Sequence, residues 1–155
     1  LRSSTASAQP TARPGPPQPT MILSDDRYLL DSAAAHVLLQ PHASPGLREL
    51  IRTTRLGSIW ISAITESELR QTVARCNRPS EHRVALDLLL RNVATIPFDR
   101  AAAIAYGELP HPVPGFESSR FELLVAAQAL SSESTLITAD RRYARIPGLR
   151  TLHWE

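Results

Sequence analysis

The sequence predicts a three-layer α/β/α domain around a mostly parallel central sheet, and three observations carry that expectation. From Tyr28 onward short apolar runs alternate with longer amphipathic ones, the pattern of βα units that build a parallel sheet with helices packed on it. At 155 residues the chain has the length of one ordinary domain and can bury a core of its own. Apolar residues make up 43% and charged residues 21%, a globular balance, and no apolar run approaches the roughly 18 residues of a membrane span. A soluble protein is expected, with no membrane partner.

Residues 1–20 are rich in Pro, Ser, Thr, Ala and Gln, and Pro10, Pro14, Pro16, Pro17 and Pro19 crowd their second half. Such a segment cannot bury enough apolar surface to order itself, and it lacks the apolar stretch of a secretory signal. It is expected to be a disordered leader, with Met21 a candidate native start and the folded domain spanning 21–155.

The elements follow in order. Leu29 and Leu30 end a first short strand; a helix over 33–39 stops before Pro41, and a second helix covers 45–53. Ser58-Ile59-Trp60-Ile61-Ser62-Ala63 is the clearest strand, and a helix over 65–76 follows it. Another helix starts at Ser80, with Val84, Leu86, Leu88, Leu89 and Leu90 expected to form its buried stripe. A strand over 93–98 leads to Asp99, placed to cap a helix over 100–108. The stretch 110–118 holds three prolines and a glycine and reads as a loop. A helix over 119–130, a strand over 135–138, a helical turn over 140–145 and a closing strand over 150–153 complete the chain.

Composition excludes several function classes. Cys76 is the single cysteine, so neither an internal disulfide nor the paired thiolates of a structural zinc site can form, and a reducing cytoplasm is the expected location. All 17 basic residues are arginine. Without lysine there is no P-loop chemistry, no Schiff base and no lysine general base. The net charge of +2 permits a polyanionic partner without announcing one.

Placed on these elements, four carboxylates fall at equivalent positions. Asp31 ends the first strand, Glu68 and Glu122 lie in the first turns of helices, and Asp140 closely follows the fourth strand. In open α/β sheets the functional crevice lies beyond the carboxyl ends of the strands, where these acids can converge. Converging carboxylates repel one another and drive some members to protonate unless a hard cation joins them. Mg²⁺ or Mn²⁺ suits an all-oxygen set, and at such a site it supplies the chemistry of phosphodiester hydrolysis. Each acid also has a capping explanation. Thr65 with Glu68 and Ser119 with Glu122 have the spacing of capping boxes, and Asp140 is a candidate N-cap, each worth about 0.5–2 kcal/mol without any metal. Asp31 fits that explanation least, because a carboxylate directly after two leucines at a buried strand end needs partners or a cation.

Glu66 lies two residues before Glu68, about 200° around the helix, so the two cannot enter one site. Asp99 reads as a cap. Arg70, Arg120, Arg141 and Arg142 stand near the acid-bearing turns and are the candidates for contact with substrate phosphates. The histidines show no ligand spacing, and Trp60, in the strongest strand, reads as core.

The runs Leu30-Asp31-Ser32, Ile61-Ser62-Ala63-Ile64-Thr65-Glu66-Ser67-Glu68-Leu69, Phe121-Glu122-Leu123-Leu124-Val125-Ala126-Ala127 and Leu136-Ile137-Thr138-Ala139-Asp140 resemble, in order and spacing, the motif series of VapC-type PIN-domain toxins. Pro97-Phe98-Asp99 with Ala105-Tyr106-Gly107, and Ala144-Arg145-Ile146-Pro147-Gly148-Leu149, look like the same family. The resemblance covers about 28–154. It implies a PIN fold and a magnesium-dependent ribonuclease, Mn²⁺ being an alternative metal, with an RNA substrate, a cognate antitoxin and a homodimer. Carried over residue by residue, it makes Asp31, Glu68, Glu122 and Asp140 the catalytic metal ligands, with Ser32 and Thr138 as small hydroxyl residues lining the site. Glu122 stands where the family usually has aspartate, and Ala33 and Ala34 replace a polar neighbour of Asp31. These departures favour the alternative of a catalytically weakened binding module that retains antitoxin or RNA binding. The antitoxin is expected in an apolar groove near the site, with helices 45–53 and 65–76 as its walls. A haloacid-dehalogenase-like phosphatase is disfavoured, since Ala33 occupies the place of its second acid. A phosphoacceptor receiver domain needs a lysine that this chain lacks.

Overall fold

The computed structural model describes residues 26–42, 44–55 and 57–154; the leader lies outside them. Within this range β1 (Tyr28–Leu30), β2 (Ile59–Ser62), β3 (Ala94–Ile96), β4 (Thr135–Ile137) and β5 (Thr151–Leu152) form one sheet in the order β3-β2-β1-β4-β5. Every pairing is parallel rather than only most of them. The helices are α1 (Ser32–Leu38), α2 (Pro45–Thr53), α3 (Ala63–Arg75), α4 (Pro79–Asn92), α5 (Arg100–Gly107) and α6 (Arg120–Ser131), and a 3-10 turn covers Arg141–Arg145.

Strand alternation sorts the layers. Leu30, Ile59, Ile61 and Ile137 point to one face, where Ala34, Ala35, Leu47, Leu69, Val73 and Leu86 from α1 to α4 close over them. Leu29 and Leu136 point to the other face, against Val125, Ala126 and Ala129 of α6 and against Tyr143 and Ile146. The fold is therefore the three-layer α/β/α arrangement that the sequence pattern predicts. No helix among the described residues is long and apolar enough to cross a membrane.

Register places the functional edge. Leu30 lies level with Ile61 on one side and Ile137 on the other. The chain leaving β1 thus emerges between two strands whose connections run in opposite directions across the sheet. This is the topological switch point, where a crevice opens beyond the strand ends.

One expectation is corrected. The buried stripe of α4 is narrower than its leucine run suggests: Leu86 is buried, but Val84 is 70% and Leu88 61% exposed. Leu88 to Leu90 are consecutive, and at 100° per residue one helix face cannot take them all. Among the described residues an apolar groove of about 570 Å³ is walled by α2 and α4, with Ile51, Ala85, Leu88 and Leu89 among its lining. No residue of α3 lines it, because the inner face of that helix, Leu69 and Val73, is spent on the core.

Candidate active site

Asp31 is the first residue beyond β1 and is 4% exposed. Its backbone N–H donates to Ile137 O at 3.1 Å, and its Oδ1 accepts from the Ala34 N–H at 2.7 Å as the N-cap of α1. Oδ2 accepts from the Thr138 hydroxyl. Among the described residues no arginine pairs with it. Burial, and next the nearby Asp140 carboxylate, push its pKa up, while the Thr138 and Ala34 hydrogen bonds oppose the rise. An acid held in this state is short of a cation.

Thr138, at the end of β4, joins two of the acids. Its hydroxyl donates to Asp31 and accepts the Asp140 backbone N–H at 2.9 Å. Asp140 caps the 3-10 turn, accepting from the Arg142 N–H at 2.9 Å, as its position predicts. Glu68 enters through Ser32, the neighbour of Asp31, whose hydroxyl donates to Glu68 Oε2. Glu122 lies in the first turn of α6 and is half-buried. The phenol of Tyr143, buried and tilted against Phe116 with ring centroids 5.2 Å apart, senses three of these acids together. Burial raises its pKa most, and the fields of Asp31, Glu122 and Asp140 raise it further, so the hydroxyl stays protonated. Sequence reading missed Tyr143. The available signal was the i, i+3 spacing of Tyr143 and Ile146, an apolar face among arginines on a three-residue turn.

The capping boxes do not form. Helix α3 starts at Ala63, two residues earlier than expected, and Ser62 caps it by accepting the Ile64 N–H at 3.0 Å. Thr65 is therefore inside the first turn, fully buried, and Glu68 is in the second turn rather than the first. Ser119 occupies the N-cap position of α6, but its side chain makes no cap bond. Glu66 points away from the site, as its 200° offset requires: it accepts from the Thr95 hydroxyl at 2.6 Å and from Arg70 Nε at 2.7 Å. Arg70 is thereby occupied by its own helix. Arg120 and Arg141 are exposed and hold no ion pair among the described residues. Asp99 caps α5 through the Ala102 N–H at 2.9 Å. Trp60 is half-buried, with the Arg27 guanidinium 5.2 Å from its ring centroid.

Arg142 is the least available arginine. Its Nε lies 3.0 and 2.8 Å from the two Asp140 oxygens, and its Nη2 lies 2.6 Å from Oδ2. This pair is the largest cause holding the Asp140 pKa down. The same guanidinium donates Nη1 to Gly115 O at 2.6 Å and stands 4.8 Å from the Phe116 ring centroid. Gly115 adopts φ +89°, and a Cβ there would meet Arg145 Nη1 at 2.9 Å and Arg142 Cδ at 3.4 Å. Gly115→Ala is therefore expected to lower the unfolding free energy by about 1–2 kcal/mol in urea titration. No change would mean that the loop yields without cost.

Among the described residues no three His, Cys, Asp or Glu side chains stand grouped closely enough to cage an ion as they are placed. The donor chemistry nevertheless fits a hard divalent cation. The candidates are all carboxylates, one of them desolvated without a positive partner. Thr65 Oγ1, one helical turn before Glu68, is a buried hydroxyl with no hydrogen-bond partner among the described residues.

A family model described as PIN domain matches residues 28–149. Among solved structures the chain is similar to VapBC2 from Rickettsia felis bound to a DNA fragment from their promoter, at 25% identity over 83% of this chain and 98% of that one, with a TM-score of 0.73. It is also similar to DNA-bound VapBC from Salmonella typhimurium, at 20% identity over 84% and 99%, with a TM-score of 0.74. FitAcB from Neisseria gonorrhoeae matches at 22% identity over 82% and 97%, with a TM-score of 0.68. The last two speak to the fold. No curated protein matches the chain.

Proposed function

The chain belongs to the PIN domain family, and from that membership we propose that it is a metal-dependent endoribonuclease, the toxin of a type II toxin–antitoxin pair. One observation carries the reading: a desolvated aspartate with no positive partner among the described residues sits at the switch point of the sheet, within reach of the Asp140 charge and next to Ser32, which holds Glu68. Likeness to VapBC2 from Rickettsia felis supports a protein antitoxin as partner.

Asp31, Glu68, Glu122 and Asp140 would hold Mg²⁺ or Mn²⁺. When bound, the ion supplies charge neutralisation and Lewis acidity at a phosphodiester. The chain's own residues prepare the place. Thr138 fixes Asp31 and the Asp140 backbone relative to each other, and Ser32 holds Glu68 beside them. Tyr143, kept protonated, offers a neutral phenol rather than a fifth negative charge. Arg120 and Arg141, exposed at the ends of the acid-bearing segments, take the flanking phosphates of an RNA strand.

Incubating the full chain with a mixed RNA pool tests this. Cleavage is expected with Mg²⁺ or Mn²⁺ and is expected to stop in EDTA. Cleavage that continues in EDTA contradicts the proposal. No cleavage by folded protein under any condition favours the weakened binding module instead, with Glu122 the first residue to return to aspartate.

A further inference from the structure

We propose that Arg142 is a built-in counter-ion to Asp140 that a divalent cation must displace, and that this displacement unlatches the loop at residues 113–117. The inference rests on the nuclease reading above and assigns a positioning role that the acid motif does not contain.

Both oxygens of Asp140 are engaged by one residue. Oδ1 accepts from the Arg142 backbone N–H and from Nε, and Oδ2 accepts from Nε and Nη2. A guanidinium and a divalent cation compete for the same carboxylate lone pairs and repel one another. Entry of the ion therefore costs a charge-assisted, multiply bonded pair.

The other end of the same fork holds the loop. Nη1 donates to Gly115 O at 2.6 Å, and the guanidinium covers the face of Phe116. Beside it Arg145 Nη1 donates to Pro114 O at 3.2 Å, and Glu117 accepts the Gly115 N–H at 3.0 Å. A planar fork cannot leave Asp140 and keep the same reach to Gly115 and Phe116, because its donors are rigidly fixed to one plane. Whatever takes Asp140 must loosen the loop. The released fork, next to the site, then has donors matched to a phosphate.

The test uses the full chain and Mn²⁺ alone as the probe, with Arg142→Gln, Arg142→Lys and, as a loop control, Arg145→Gln. Titration followed by electron paramagnetic resonance is expected to show Arg142→Gln binding Mn²⁺ about three- to tenfold tighter than wild type, the gain from removing one partly exposed competing charge pair. Arg145→Gln, which removes only a weaker field at Asp140, is expected to tighten binding by less than about twofold. Mg²⁺ is expected to speed amide exchange at Gly115 and Phe116 in the wild type, where no substitution complicates folding, and to add nothing in Arg142→Gln. Arg142→Lys, which keeps the charge but not the fork, is expected to bind Mn²⁺ near the wild-type affinity with the loop already exchanging fast. Equal or weaker binding by Arg142→Gln, or exchange in the wild type that ignores Mg²⁺, overturns the inference alone. Failure of every protein to bind Mn²⁺ overturns the nuclease reading and this inference with it.

Discussion

Asp31→Asn is expected to reduce RNA cleavage by at least about 100-fold while leaving the metal-free protein no less stable at neutral pH. The two halves of this result have one cause. In the folded chain the Asp31 pKa is raised, chiefly by burial, so the folded state binds a proton more readily than the unfolded state does. Above the folded pKa both states are ionised and the whole desolvation penalty weighs on the fold. As pH falls through the raised folded pKa toward the ordinary carboxyl value, the folded state takes up its proton first and the penalty disappears. Asparagine removes the charge but keeps an oxygen for the Ala34 N–H. The stability advantage of the variant is therefore expected to be greatest at neutral pH and to shrink on acidification. Asp140 and Glu66, whose pKa values are lowered by Arg142 and by the Thr95 hydroxyl respectively, act in the opposite direction. Glu66 contributes equally to both proteins and cancels in the difference, whereas Asp140, whose charge reaches Asp31, is relieved of that repulsion in the variant, which adds to its advantage at neutral pH. Urea unfolding in EDTA at several pH values reads this directly. A variant that is strongly destabilised at neutral pH would show that the carboxylate serves the fold rather than a cation.

Gln128→Leu is expected to cost about 2–4 kcal/mol, the larger stability effect of the two, although leucine nearly matches the shape of glutamine. Gln128 is 2% exposed. Its Oε1 accepts from the Ser62 hydroxyl, and its Nε2 donates to Ile96 O at 3.2 Å and Pro97 O at 2.7 Å. One amide thus ties α6 to the ends of β2 and β3. Leucine leaves the buried Ser62 hydroxyl without its acceptor and takes the donor from the part-buried Ile96 and Pro97 carbonyls, and Ser62 also caps α3. A loss below about 1 kcal/mol would mean that water reaches all three groups in the variant.

What was legible in the sequence was whatever depended on near neighbours. Alternating apolar runs locate all five strands, and α2 begins at Pro45 as a proline at the first helical position suggests. The caps at Asp99 and Asp140 are local and were read correctly. The Thr65 to Glu68 spacing misled, because the Ser62 hydroxyl at the strand exit reaches the helix first. The four acids are placed at strand exits and helix starts by topology alone. What joins them is not local. Thr138 lies 107 positions from Asp31, Ser32 lies 36 from Glu68, and Gly115 lies 27 from Arg142. Gln128 reads as one more polar residue of a helix until β2 and β3 are packed against it.

Whether these carboxylates share one divalent cation is decided by Mn²⁺ titration of the wild type, Asp31→Asn and Glu68→Gln, followed by electron paramagnetic resonance. One bound Mn²⁺ per wild-type chain is expected, with binding lost or weakened by at least about tenfold in each variant. Binding of undiminished strength in both variants would place the ion elsewhere and contradict the account.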